Sequence, residues 1–274
     1  MTALSVAAAP PQPDRRPFLP LVTADLLKLR KRRGLVATVT AMTIGAAVVT
    51  YAVLAILHAA NPAHHGPAGG VANLMHGVGV LSLLGCVAAT IVGASAGADD
   101  LNAGVFRELV VTGRSRLALF ASRLPGGLAF LLPFVAAGYA IAAVASVGLA
   151  GSLASPTTTL LVEGGLWLIG EVALFYVVAL GLASLLGSRT QTVGILLAFR
   201  LALAPILASI AALGVFREVF PTAALGRLAP AAIADDVRQG THAPMSLAAT
   251  VAVLILWTAI PLVVGAWRTA ARDA

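Results

Sequence analysis

Long apolar runs alternate with short polar segments along this chain. Six runs reach the roughly 20 residues that a helix needs to cross a hydrocarbon layer. They lie at about residues 35–57, 71–98, 119–149, 160–187, 193–213 and 247–267. Several exceed the minimum, which a tilted helix accommodates. The runs are continuous and show no period of two, so a barrel of strands, with its alternating segments of about 10 residues, is excluded. The pattern predicts an all-α polytopic membrane protein with six transmembrane helices. Residues 21–274 then form one transmembrane domain.

The segments between the runs carry the rest of the pattern. Residues 1–20 are proline-rich and are expected to form a disordered tail. They do not read as a signal peptide, because the basic block follows them and the apolar run behind it is too long. Residues 21–34 interleave Leu21, Leu26, Leu27 and Leu29 with Lys28, Arg30, Lys31, Arg32 and Arg33. Thr23 and Asp25 could open a helix there. Two readings use the same residues: an amphipathic helix at the cytoplasmic interface, or a plain positive-inside flank of the first span. Between runs two and three, Leu101, Val105, Leu109 and Val110 fall at helical spacing, which predicts a short helix over about 101–112. Asp99 and Asp100 would stand at its positive end, and Thr112-Gly113 would close it. This helix is either a contact surface for a cytosolic partner or a solvated interfacial helix. Between runs five and six, Pro221 and Pro230 interrupt apolar clusters, which predicts short outer helices within about 216–240.

Composition agrees with the pattern. Of 274 residues, 59% are hydrophobic and 11% charged, and the mean hydropathy is +0.96. A soluble domain carries about 25% charged residues. The net charge of +7 would suit nucleic acid if it covered one face, but here it sits in short blocks beside apolar runs, so no nucleic-acid partner is expected. With the amino terminus inside, fourteen of the eighteen Lys and Arg fall in inner segments and three in outer ones. This predicts cytoplasmic amino and carboxyl termini. The single cysteine, Cys86, lies in an apolar run, where a small core residue is expected.

Some polar residues stand inside the runs. Glu171 in the fourth and Arg200 in the fifth are costly in lipid and should face protein or water. Counted from the inner ends of the expected runs, their depths differ by roughly 10 Å, so a direct pair needs snorkelling or a shifted helix. They mark either a cavity or dimer-interface site, or a structural polar contact. Glu163 reads as interfacial. Gly93-x-x-x-Gly97 permits close helix packing. His58, His64, His65 and His76 surround the first outer loop without a neighbouring carboxylate or cysteine, so no metal site is expected. No G-x-x-x-x-G-K-[ST] loop is present, and Lys28 and Lys31, the only lysines, follow no glycine-rich turn. The chain is not expected to hydrolyse ATP or to bind a cofactor. A membrane-embedded enzyme would need clustered polar groups at matching depth, and a secondary transporter would show broken helices or paired ionisable groups midway.

The inner segment with Gly104, Arg107, Glu108, Leu109, Ser115, Arg116 and Arg123, the outer stretch from Pro230 to Arg238, and the tail WRTAARDA resemble the permease subunit of ABC-2 type ABC transporters. The resemblance runs from about Leu21 to Asp273. Gly113-Arg114 stand where that family often has proline before Ser-Arg, and Arg123 stands where it often has lysine. The resemblance implies an elbow helix bearing Lys28, Arg30, Lys31, Arg32 and Arg33, and a coupling helix whose contacts are Gly104, Arg107, Glu108, Leu109, Ser115 and Arg116. It implies a second permease of the same or a homologous chain, cytosolic ABC ATPase subunits holding ATP and magnesium, and a place in the plasma membrane. The alternative is an ATPase-independent membrane protein, either a secondary transporter or an immunity or assembly component.

Overall fold

A computed structural model describes residues 18–111, 113–232 and 245–271, without the side chains of residues 106, 107, 109, 208, 211 and 215. Among the described residues every regular element is helical. In chain order they are α1 (Leu19–Lys31), α2 (Arg33–Ala60), α3 (Val71–Asn102), α4 (Val105–Val111), α5 (Arg116–Gly148), α6 (Thr158–Leu186), α7 (Arg189–Leu207), a 3₁₀ segment (Ala211–Val219), α8 (Pro221–Leu228) and α9 (Leu247–Ala271). Six of them, α2, α3, α5, α6, α7 and α9, are long and apolar enough to cross a membrane. Val49, Ile56, Val144, Leu166 and Val263 are exposed on these helices, which suits contact with lipid rather than water. The chain is a helical membrane protein.

Several element ends differ from the expected ones, each for a local reason. α1 begins at Leu19 rather than near Thr23. Pro20 fits a first turn, where no backbone N–H is needed, and the Thr23 hydroxyl donates to the Pro20 carbonyl at 3.0 Å. The remainder of the expected tail, residues 1–17, lies outside the described residues. Arg32 (φ −83°, ψ 86°) is not helical and separates α1 from α2. α3 continues past residue 98 to Asn102, so Asp99 and Asp100 close α3 instead of opening the short helix. That helix, expected at 101–112, is α4 at Val105–Val111. Gly104 at φ +71° makes the turn before it and Gly113 at φ +84° the turn after it. Thr112 lies outside the described residues.

Serine and threonine caps set the next boundaries. Ser115 accepts from the Ala118 N–H at 3.1 Å and starts α5 at Arg116, ahead of the expected 119. Thr157 accepts from Leu160 and starts α6, and left-handed Gly187 ends it. Ser188 accepts from Gln191 at 3.3 Å and starts α7 at Arg189, ahead of the expected 193. α7 also stops early. A π-helical stretch, Phe199–Leu203, precedes Pro205, whose nitrogen cannot donate to the carbonyl one turn back. Of the short helices expected within 216–240, α8 lies inside that range and the 3₁₀ segment begins before it, at Ala211. Residues 233–244, including most of the Pro230–Arg238 stretch, lie outside the described residues, as do residues 272–274 of the tail.

The interior belongs to α3 and α6. In lipid no hydrophobic force draws helices together, so close van der Waals fit has to hold them. Gly93 and Gly97 supply it within the chain. A Cβ on Gly93 would lie 2.8 Å from the Ala179 Cβ, and one on Gly97 would lie 2.7 Å from that of Ala183. α9 meets α6 from the other side at a second glycine contact, where a Cβ on Gly265 would lie 2.7 Å from the Gly181 carbonyl oxygen. α1 packs along the start of α5, where a Cβ on Gly126 would lie 2.9 Å from the Asp25 Cβ. Gly69 and Gly70 donate to the Leu149 and Ser146 carbonyls at 2.8 and 2.7 Å and tie the loop between α2 and α3 to the end of α5.

Candidate functional site

Two polar clusters stand out from the apolar helices. The first lies where α1, α3, α5 and α6 meet. Asp100 at the end of α3 is buried and pairs with both Lys28 of α1 and Arg123 of α5, the latter at 3.1 Å. Its neighbour Asp99 pairs with Arg32 at the break between α1 and α2. Arg123 is only 3% exposed and also donates to the Gly97 carbonyl at 3.3 Å. From α6, the Tyr176 hydroxyl donates to the Arg123 carbonyl at 2.6 Å, and Ser184 donates to the Gly97 carbonyl at 3.4 Å. The Ser122 hydroxyl donates to Asp25 of α1 at 2.6 Å. Burial pushes the Asp25 carboxyl above its ordinary value of 3.8, against the opposing pull of Ser122, Arg123 and Lys28.

This cluster changes the reading of the basic segment. Lys28 and Arg32 spend their charges on α3 carboxylates, whereas Arg30, Lys31 and Arg33 are exposed. Among the expected contact residues of the short helix, Glu108 is exposed and Gly104 is an open turn. The side chains of Arg107 and Leu109 lie outside the described residues. Ser115 is a helix cap, and Arg116 donates to the Ala270 carbonyl at 3.1 Å, which joins the start of α5 to the end of α9. Ser122 and Tyr176 were not singled out from sequence, and Asp25 only as a residue that could open α1. A usable signal was the Asp99-Asp100 pair itself, since two adjacent carboxylates ending a span need nearby cations.

The second cluster sits in the middle of the spans. Glu171 of α6 and Arg200 of α7 pair directly, Arg200 Nη2 to Glu171 Oε1 at 3.1 Å. The same nitrogen donates to Ser82 of α3 at 3.3 Å. The guanidinium lies over the Phe175 ring at 5.6 Å, and buried Cys86 adjoins both charged groups. Glu171 is buried and Arg200 about one-fifth exposed. Among the described residues, Glu171 Oε2 and Arg200 Nε have no hydrogen-bond partner. The expected depth gap closes because α7 starts at Arg189. Counted from Leu186 and Arg189, on either side of the short turn between α6 and α7, the difference is about 6 Å, within reach of an arginine side chain.

Elsewhere, Glu163 is exposed near the start of α6. His58 Nδ1 donates to the His65 carbonyl at 2.7 Å. Among the described residues no group of three or more His, Cys, Asp or Glu could hold a metal ion. An apolar groove of about 300 Å³ runs between Val219 of the 3₁₀ segment and Leu256, Trp257 and Ile260 of α9. Compared with known proteins, the sequence matches no family model and no curated protein.

Proposed function

We propose that the chain is the membrane-spanning permease subunit of an ATP-driven exporter, similar to the ABC-2 type. It lies in the plasma membrane with cytoplasmic termini and forms the substrate path with a second permease. Separate cytosolic ABC ATPases, carrying ATP and magnesium, drive it through α4. In this reading α1 is the elbow helix at the inner interface, and its exposed Arg30, Lys31 and Arg33 meet anionic headgroups.

One observation carries the reading. The short helix α4 stands between two glycine turns, and its root at Asp99 and Asp100 is tied by ion pairs to α1 and to α5. A push on α4 is therefore delivered to three helices at once. The order of elements adds support: a basic helix, six spans, a short helix between the second and third, and broken short helices before the sixth.

The test is copurification. The tagged chain is extracted from its native host in mild detergent, beside a form carrying Arg107→Glu and Leu109→Asp. A Walker-motif ATPase should come with the first and be lost from the second. No ATPase with either form, even after crosslinking, sinks the exporter reading and leaves an ATPase-independent membrane component.

A further inference from the structure

The Glu171–Arg200 pair is not a closed structural bridge. A guanidinium offers five N–H donors in a planar fork, and a carboxylate that only neutralises it takes two of them side by side. Here a single nitrogen, Nη2, donates to both Glu171 and Ser82, and the Cys86 thiol stands beside both charged groups. Among the described residues, buried Nε has no hydrogen-bond partner, nor has the opposite carboxylate oxygen, Glu171 Oε2. The pair thus has spare donors and a spare acceptor at a depth where hydrocarbon offers neither.

The surroundings say what kind of molecule would use them. Arg200 keeps about one-fifth of its side chain open on the sparsely covered α7, where Ile195, Leu201, Leu203 and Ile206 are exposed. A partly exposed cation on a helix with exposed aliphatic side chains suits an amphiphile. Its polar group needs an acceptor oxygen for the guanidinium. A phosphate monoester or a carboxylic acid supplies one. Arg200 sits in the π-helical stretch of α7, a form of local widening frequent at functional sites.

We propose that Arg200, held in place by Glu171 and Ser82, recognises the acidic group of an amphiphilic molecule at mid-membrane depth. That such a molecule is the transported substrate rests on the exporter reading; the binding itself needs no ATPase.

The probes are radiolabelled dodecyl phosphate and dodecyltrimethylammonium. Saturable binding is measured by scintillation proximity on the full chain in phosphatidylcholine nanodiscs. Dodecyl phosphate should saturate the wild-type chain, and dodecyltrimethylammonium should not. Arg200→Gln should weaken dodecyl phosphate binding by about tenfold or more, the loss of one charge-assisted hydrogen bond. Should Arg200→Gln fail to fold, the double change Glu171→Met with Arg200→Met removes both charges at similar volume and should show the same loss. Equal binding by wild type and either folded variant overturns the proposal, since water alone then completes the pair. Equal binding of the cationic probe overturns it as well. A failed ATPase copurification beside intact dodecyl phosphate binding would remove the exporter and leave the site.

Discussion

Asp100→Ala tests the ion-pair cluster at the end of α3 most directly. Asp100 is 7% exposed and Arg123 is 3% exposed, so their contact at 3.1 Å is sheltered from water. A sheltered hydrogen bond between charged groups contributes about 1.5–3 kcal/mol. Lys28 is one-third exposed, and its pair with Asp100 adds at most about 1 kcal/mol. Arg123 keeps its bond to the Gly97 carbonyl after the change, which holds the loss near the lower end of the range for breaking a buried pair. The working figure is about 3 kcal/mol, or roughly a 100-fold change in the open population.

Cys86 provides the assay. It is the chain's only cysteine, it is 1% exposed, and it lies on α3 with Asp100. A membrane-permeant thiol reagent labels it only when the helices part, so the labelling rate follows the open population while reclosing outpaces the reagent. Asp100→Ala should raise that rate roughly 100-fold. Arg32→Ala removes a cation about one-third exposed and should change it no more than about fivefold. A rise below about threefold for Asp100→Ala, or equal effects of the two variants, would refute the claim that burial of the Arg123–Asp100 pair carries the energy.

Three further outcomes follow from the same packing. Gly97→Val places a side chain where a Cβ alone already meets Ala183 at 2.7 Å. It should lower stability by about 1–3 kcal/mol, read as faster Cys86 labelling; an unchanged rate would mean that α3 and α6 do not meet at this glycine. Tyr176→Phe loses the 2.6 Å bond to the Arg123 carbonyl and should cost about 1 kcal/mol, visible as a lower midpoint in thermal unfolding followed by circular dichroism. Asp25→Asn tests the raised carboxyl. A carboxyl raised in the folded state holds its proton more tightly there, so its favourable contribution is complete below the unfolded value of 3.8 and is lost as pH rises through the folded-state value. The wild type should therefore gain stability relative to Asp25→Asn as pH falls from neutral through that window, and parallel pH profiles would contradict the assignment.

The spans were legible because a continuous apolar run of sufficient length has few alternatives to a membrane helix. Their ends were less so. Ser115 and Ser188 each move a boundary by several residues through one side-chain hydrogen bond, and a hydropathy run carries no trace of such a bond. Asp99 and Asp100 were read as belonging to the helix after them because anions suit a helix start. Their partners Lys28, Arg32 and Arg123 are remote in sequence, so only the fold could show that the carboxylates end α3. The Glu171–Arg200 pair was half visible. Both residues were conspicuous as ions in apolar runs, but their mutual depth depended on where α7 starts. An error of four residues there shifts a side chain by about 6 Å, which decides between contact and separation.

The ion pairs also bear on the proposed orientation. A basic flank sets topology through cations in short loops during insertion, and carboxylates weigh little in that bias. Lys28, Arg32 and Arg123 end up paired with α3 carboxylates, and one might discount them as signals of side. Removing all three from the inner count leaves eleven against three, still strongly biased to the same side. The two uses need not compete, because insertion precedes helix packing. In the proposed orientation the same lysine and arginines first hold the segment inside and then join α1 and α5 to the root of α4. A charge reversal such as Lys28→Glu should therefore leave topology intact, since one of fourteen inner cations is lost, yet break the contact to Asp100. Glycosylation-site mapping of the loops beside the Cys86 labelling rate would separate the two roles. Inverted topology in Lys28→Glu, or an unchanged labelling rate, would show that this residue does not serve both.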